Sequence, residues 1–152
     1  MKSINASNIF LSSSSVSSVT VTPEGKHVIS GSWDKTVKLW DIKTGEEVKT
    51  FKGHTDRVNS VTVTSDGKYI VSGSWDKTAK LWDIETAKEV KTFKGHTDSI
   101  NSVAVTPNGK YIVSGSSDET IKLWDIETGK AIRTFKGHTD RGDRFQFCVS
   151  NF

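Results

Sequence analysis

Residues 53–94 read GHTDRVNSVTVTSDGKYIVSGSWDKTAKLWDIETAKEVKTFK, and residues 95–136 read GHTDSINSVAVTPNGKYIVSGSSDETIKLWDIETGKAIRTFK. Set against each other without gaps, about 30 of the 42 positions are identical. Chance does not produce such self-similarity, so a repeat architecture takes precedence over the ordinary reading of a 152-residue chain as one compact domain. Working outward, the Trp-Asp pairs at Trp40, Trp82 and Trp124 keep the same 42-residue interval, as do Gly53-His54, Gly95-His96 and Gly137-His138. The chain therefore divides into an amino-terminal segment 1–15, units at 16–52, 53–94 and 95–136, and a remainder 137–152 that opens a fourth unit and then turns irregular.

Each unit is made of short runs rich in Val, Ile, Thr, Tyr and Trp, bounded by turn residues, which is the pattern of closely spaced strands. In the middle unit the strands are expected near Val58 to Thr64, Tyr69 to Ser74, Thr78 to Ile84 and Glu89 to Lys94, which predicts four antiparallel strands per unit and no helix. Glu24-Gly25, Asp66-Gly67 and Asn108-Gly109 fall between the first two strands, where a tight hairpin calls for positive φ and glycine adopts it without steric cost. Val61, Val63, Ile70, Val71 and Leu81 put apolar side chains on both faces, so the sheets should stack face to face. The last strand, with Val90, Thr92 and Phe93 among Lys91 and Lys94, reads as a solvent-facing outer edge.

Composition narrows the function. The 21 Lys and Arg against 18 Asp and Glu leave a formal charge of +3, too small and too interleaved to argue for nucleic acid or a membrane surface. The outer-strand lysines Lys49, Lys52, Lys91, Lys94 and Lys136 read as a solvated edge rather than as phosphate contacts. No stretch approaches the roughly 20 apolar residues of a spanning helix, and residues 1–19 lack the apolar core of a secretory signal. One cysteine, Cys148, forms no intramolecular disulfide, and a cytoplasmic protein is expected.

The Gly-His, Ser-Gly-Ser-x-Asp and Lys-Leu-Trp-Asp segments resemble the WD40 repeat over roughly residues 16–138. The resemblance implies an all-β fold, a β-propeller of four-stranded blades around a channel, typically four to eight of them. Three blades fall below that range, so the chain is expected to be a propeller fragment of about three blades, open or closed only by assembly. The terminal blades would then expose apolar faces that must be covered by a second copy of the chain, by blades of a longer gene, or by local disorder. Ile4 to Phe10 occupies the place of an outer strand that closes rings in this family, and 145–150 has room for one strand.

The resemblance also implies a buried hydrogen-bonded tetrad in each blade: His54, Ser72, Asp76 and Trp82 in one, His96, Ser114, Asp118 and Trp124 in the next. The first blade has Ser30, Asp34 and Trp40, but 42 residues before His54 stands Ser12, so its tetrad lacks the histidine. Residues of the family that meet partners on the top face map to Trp33, Trp75, Ser117, Arg57, Asn59, Ser99 and Asn101. Trp and Arg suit that role, since a rigid aromatic buries area with little entropy loss and guanidinium grips carboxylates as a fork. The competing reading has Trp33 and Trp75 lying against one another and merely shielding the turn.

Four histidines spread over successive repeats suit structural hydrogen bonding better than a metal, and Asp34-Lys35-Thr36 and Asp76-Lys77-Thr78 suit turn capping better than a calcium loop. No nucleophile has a positioned base in the sequence pattern, Cys148 lies in the tail, and Arg141-Gly142-Asp143 reads as tail sequence. The expectation is a scaffold that binds a protein or peptide without cofactor or catalysis, able to form a homo-oligomer that completes the ring, with no nucleic acid or membrane partner. The alternative is a structural building block, or a truncated fragment of a longer repeat protein, with no site of its own.

Overall fold

The computed structural model describes residues 14–138. Ser12, the segment Ile4 to Phe10, the tripeptide at 141–143, the strand expected at 145–150 and Cys148 lie outside the described residues. Among the described residues, twelve strands form three four-stranded antiparallel sheets, each in chain order. The first holds β1 (Val16–Val21), β2 (His27–Ser32), β3 (Val37–Asp41) and β4 (Glu47–Phe51). The second holds β5 (Val58–Val63), β6 (Tyr69–Ser74), β7 (Ala79–Asp83) and β8 (Glu89–Phe93). The third holds β9 (Ile100–Val105), β10 (Tyr111–Ser116), β11 (Thr120–Asp125) and β12 (Ala131–Lys136). In the middle unit the strands end up to a residue inside the expected limits, because Thr64, Thr78 and Ile84 are taken by turn hydrogen bonds.

The turns explain themselves locally. Gly25, Gly67 and Gly109 take φ near +70°, and each donates its N–H to the carbonyl of Thr22, Thr64 or Thr106 three residues back. The residue before the glycine is not left-handed; Asp66 instead accepts from Thr64 Oγ1 at 2.6 Å and from the Lys68 N–H at 3.0 Å, holding the loop closed from its side chain.

The sheets stack face to face, and two separate cores result. Ile29, Val37, Leu39 and Phe51 of the first sheet meet Val58, Val61, Ile70 and Trp82 of the second. Val71, Ala79, Leu81 and Phe93 of the second meet Ile100, Val103, Ile112 and Trp124 of the third, the same set displaced by one repeat. Close approach depends on the glycine of Ser-Gly-Ser: a Cβ on Gly73 would lie 2.6 Å from Ile100 Cγ2 and 2.8 Å from Val103 Cγ1. The first strands β1, β5 and β9 adjoin one another, which makes them the inner edges, while β4, β8 and β12 end the sheets on the outside. Among the described residues the stack does not close.

The outer lysines correct one expectation. Lys49 and Lys91 are half-buried rather than solvated, and each ammonium crosses to the next sheet. Lys49 Nζ donates to the carbonyls of Ile84, at 2.7 Å, and Glu85; Lys91 Nζ donates to those of Ile126 and Glu127 at 2.9 and 2.5 Å. The four-carbon stem of a lysine lets it lie along a neighbouring surface while its ammonium still finds acceptors. The inner edge is tied as well, since Ser18 Oγ accepts the Val61 N–H at 3.1 Å and Ser60 Oγ the Val103 N–H at 3.2 Å.

Candidate functional site

Two kinds of polar cluster stand out, one buried and one exposed. In the second sheet His54, held on the loop between β4 and β5, places Nδ1 2.6 Å from Asp76 Oδ2 and Nε2 2.7 Å from Ser72 Oγ. Trp82 donates its indole N–H to the same Ser72 Oγ at 2.8 Å. The third sheet repeats this with His96, Asp118, Ser114 and Trp124 at 2.7, 2.7 and 2.8 Å. An ionised carboxylate only accepts, so Nδ1–H donates to Asp, Nε2 accepts from the serine hydroxyl, and the serine accepts from indole. Every member is satisfied by one tautomer.

The electrostatics agree. Burial would raise Asp118, but hydrogen bonds from Thr120 and His96 and from the N–H groups of Thr97 and Thr120 outweigh it and hold the carboxyl at about 2. Asp76 is driven well below the usual carboxylate range by His54 and Thr78 against the same opposing burial. Burial lowers His96, overcoming the pull of Asp118 toward the charged form, so its imidazole is neutral at neutral pH.

Serine, histidine and aspartate in this order have the contacts of a nucleophilic relay. The arrangement cannot act as one, because Ser72 and Ser114 are fully buried and their hydroxyls already take an indole N–H. No substrate carbonyl can reach them. In the first sheet Trp40 donates to Ser30 Oγ at 2.8 Å and Asp34 Oδ1 caps Thr36, while no imidazole of the described residues bonds Ser30 or Asp34.

The exposed cluster lies at the end of the sheets that carries the β2–β3, β6–β7 and β10–β11 turns. Trp33 and Trp75 approach with ring centroids 6.4 Å apart, and the guanidinium carbon of Arg57 sits 4.3 Å from the Trp33 ring and 4.8 Å from the Trp75 ring. Backbone bonds place these groups: the Trp75 N–H donates to the Arg57 carbonyl at 2.9 Å, so the turn after β6 is pinned to the start of β5. Trp75 keeps 37% of its surface exposed. The tryptophans lie against one another, and the arginine lies over both.

Asn59 and Asn101 are the bulged residues of β5 and β9, skipped in the pairing with β6 and β10. A bulge re-aims its side chain, and Asn59 Nδ2 points to the Asn101 carbonyl at 3.4 Å, while Asn101 Nδ2 donates to Ser117 Oγ at 2.9 Å. Ser99 accepts the Ser117 N–H on its carbonyl at 2.9 Å, the counterpart of the Arg57–Trp75 bond. All seven residues expected on the top face thus lie along one end of the stack. Sequence reasoning missed the bulges, the cross-sheet lysines and the serine ties; the signal for the last two was the recurrence of Lys49 and Lys91, and of Ser18 and Ser60, at one repeat's spacing.

Segments 6–41, 45–83 and 87–125, more than half of the chain, match the family model described as WD domain, G-beta repeat. The chain belongs to the WD40 repeat family. The second and third matched segments start near or in the outer strand of one sheet and finish in the third strand of the next, so each WD40 sequence unit staples two blades. An uncharacterized WD repeat-containing protein of Schizosaccharomyces pombe is 54% identical over 33 residues, 22% of this chain and 9% of that protein. A ribosome biogenesis protein BOP1 homolog of Drosophila erecta is 51% identical over 43 residues, 28% of this chain and 5% of its own length. The small ribosomal subunit protein RACK1 of Candida albicans is 44% identical over 36 residues, 24% of this chain and 11% of that one. Among solved structures, U3-55K and the RRP9 WD40 repeats each superpose with a TM-score of 0.80 at 26% identity, covering 85% of this chain and 41% of theirs. The WD40 blades here therefore span about two-fifths of those propellers and a small part of the curated relatives.

Proposed function

We propose that this WD40 chain is a non-enzymatic scaffold whose top face binds a protein or peptide, with Trp33, Arg57 and Trp75 as the anchor. The observation that carries the reading is the guanidinium held over two indoles, one of them exposed. Stacking fixes the arginine fork without taking up its N–H donors, so they can grip a carboxylate while the indoles bury apolar surface beside it. Asn59, Asn101, Ser99 and Ser117 extend the same end as hydrogen-bonding groups. The partner is thus a segment carrying an acidic side chain next to an apolar one, met in a cytoplasmic setting. Relatives named for ribosome biogenesis and for a ribosomal subunit protein support a role in multi-protein assemblies. The interleaved charge of the chain favours protein over nucleic acid or membrane as partner.

A pull-down with the wild-type chain, with captured proteins identified by mass spectrometry, tests the site. Trp75→Ala with Arg57→Ala should abolish capture while the circular dichroism spectrum stays unchanged. Undiminished capture would remove the anchor from the face.

The alternative, a structural building block with no site of its own, draws on the near identity of the second and third units. Against it, Arg57 and Trp75 touch in the second unit and are both serine in the third, Ser99 and Ser117. The second unit alone sets an arginine beside the tryptophan, the first having Ser15 with Trp33, which supports reading this end of the second blade as its own surface rather than repeat framework.

A further inference from the structure

In the first two blades a lysine on the third strand meets a glutamate on the fourth. Lys38 Nζ lies 2.8 Å from Glu47 Oε2, and Lys80 Nζ lies 2.7 Å from Glu89 Oε1. The same carboxylates accept the hydroxyls of Thr50 and Thr92, and Lys80 donates to Thr92 Oγ1 as well, at 2.9 Å. The third blade keeps the donors and loses the acceptor. Lys122 Nζ donates to Thr134 Oγ1 at the same 2.9 Å, but Ala131 stands at the register of Glu47 and Glu89, opposite the tetrad tryptophan. Among the described residues no carboxylate bonds Lys122 or accepts the Thr134 hydroxyl.

The surroundings are otherwise alike. The glycine of a Gly-His loop covers each position: a Cβ on Gly53 would lie 2.9 Å from Glu89 Oε2, and one on Gly95 would lie 3.9 Å from Lys122 Cδ. In the second blade this face opens into a cavity of about 570 Å³ that Gly53, Lys80, Glu89 and Thr92 help to line. In the third, Ala131 and Thr134 are exposed, so a solute can reach them. Residues 128–136, TGKAIRTFK, carry three cations and no acid, whereas residues 86–94, TAKEVKTFK, carry three and Glu89. The outer strand of the third blade therefore draws anions more strongly than its counterpart. Glu119, at the register of the cavity residue Lys77, opposes that field, so an anion must be held by Lys122 and Thr134 themselves.

We propose that Lys122 and Thr134 bind a carboxylate from outside the blade, in the place that Glu47 and Glu89 fill in the first two. Ala131 retains the Cβ of the glutamate, so the piece to be supplied is CH2–COO⁻, the size of acetate or of the end of an acidic side chain. Pairing of β11 with β12 sets the ammonium and the hydroxyl side by side, and hydrogen bonds from such donors to a carboxylate are the strong, charge-assisted kind. An exposed ion pair gains little by itself, so free acetate binds weakly and a side chain carried on a larger partner binds better. The tetrad senses the event. Burial and the Lys122 charge both lower His96, against the pull of Asp118. A carboxylate on Lys122 offsets its charge, and His96 then rises. The site is separate from the top-face anchor and does not depend on it.

Acetate titrated into the full chain against chloride, at constant ionic strength and neutral pH, tests the site by nuclear magnetic resonance. The Ala131 and Thr134 amides and the His96 ring should shift saturably, with the His96 pKa higher at saturation. Ala131→Glu restores the internal carboxylate, so it should raise His96 without acetate and abolish the response to it. Lys122→Met should abolish that response too, and Glu119→Lys should lower the acetate concentration at half-saturation, with circular dichroism confirming that each variant is folded. Shifts that are absent, that fail to saturate, or that persist in folded Ala131→Glu would overturn the proposal. A second arm compares capped Gly-Glu-Gly with Gly-Gln-Gly. Saturation by the glutamyl peptide alone, at or below the acetate concentration, assigns the acidic side chain of a protein; saturation by acetate with both peptides excluded assigns a small free carboxylate.

Discussion

At the scale of the residue, the tetrads show why a buried charge is tolerated in this fold. Asp76 has 7% of its side chain exposed and accepts from His54, the Thr55 N–H, and both the N–H and Oγ1 of Thr78. Asp76→Ala should destabilise the chain by about 1–3 kcal/mol, since it leaves His54 and Thr78 with desolvated donors; denaturant melts of the two proteins measure this, and an unchanged midpoint would contradict the geometry. Acid should act through the same groups. The native state resists protonating His96, whose pKa burial depresses from 6.5, so below that value the unfolded chain takes up protons that the folded one does not. The stabilisation is complete above the ordinary histidine range and is lost as pH falls through it; Asp118, ionised down to about 2 instead of 3.8, loses its share only at lower pH. Melting temperature should therefore fall on acidification in two stages, and His96→Gln should flatten the first of them.

At the scale of the element, a strand here is specified by which of its faces meets the next sheet and by how closely. The alternation of Ile70 and Val71 assigns one to each core, and both were legible as apolar positions on opposite faces. Glycine in the same strand was legible only as part of a motif; its cause is the methyl groups of Ile100 and Val103 that press on it from the neighbouring blade. Gly73→Ala should cost about 1–3 kcal/mol by forcing the sheets apart, as overpacked cores do. A thermal melt checks it, and Gly25→Ala serves as the contrast, since nothing lies within 4 Å of a Cβ there and only its φ of +70° resists the change. The bulges at Asn59 and Asn101 were not legible, because a skipped residue in a ladder leaves no mark on a two-residue alternation.

At the scale of the whole molecule, stability is a sum over blades and the contacts between neighbours. Among the described residues, the second sheet is covered on both faces, while the first and third are covered on one. In a single copy, amide hydrogen exchange should be slowest in β6 and β7 and at least about tenfold faster in β12, where all six residues are exposed. Uniform protection across the three sheets would mean that something covers the ends. The top-face cluster also belongs to this scale, since Trp33 comes from one blade and Arg57 and Trp75 from the next.

Repetition let the sequence by itself determine the three four-stranded sheets, since a 42-residue period repeats every turn and strand in register, and its Gly-His and Trp-Asp motifs carried the resemblance that implied the family and the tetrad residues. Tertiary structure alone decided that Arg57 lies over two indoles and that Lys49 and Lys91 cross between blades. Arg57 and Trp33, like each lysine and the carbonyls it reaches, belong to different sheets, and their distance is set by how the sheets stack, a quantity that local pattern and propensity do not carry.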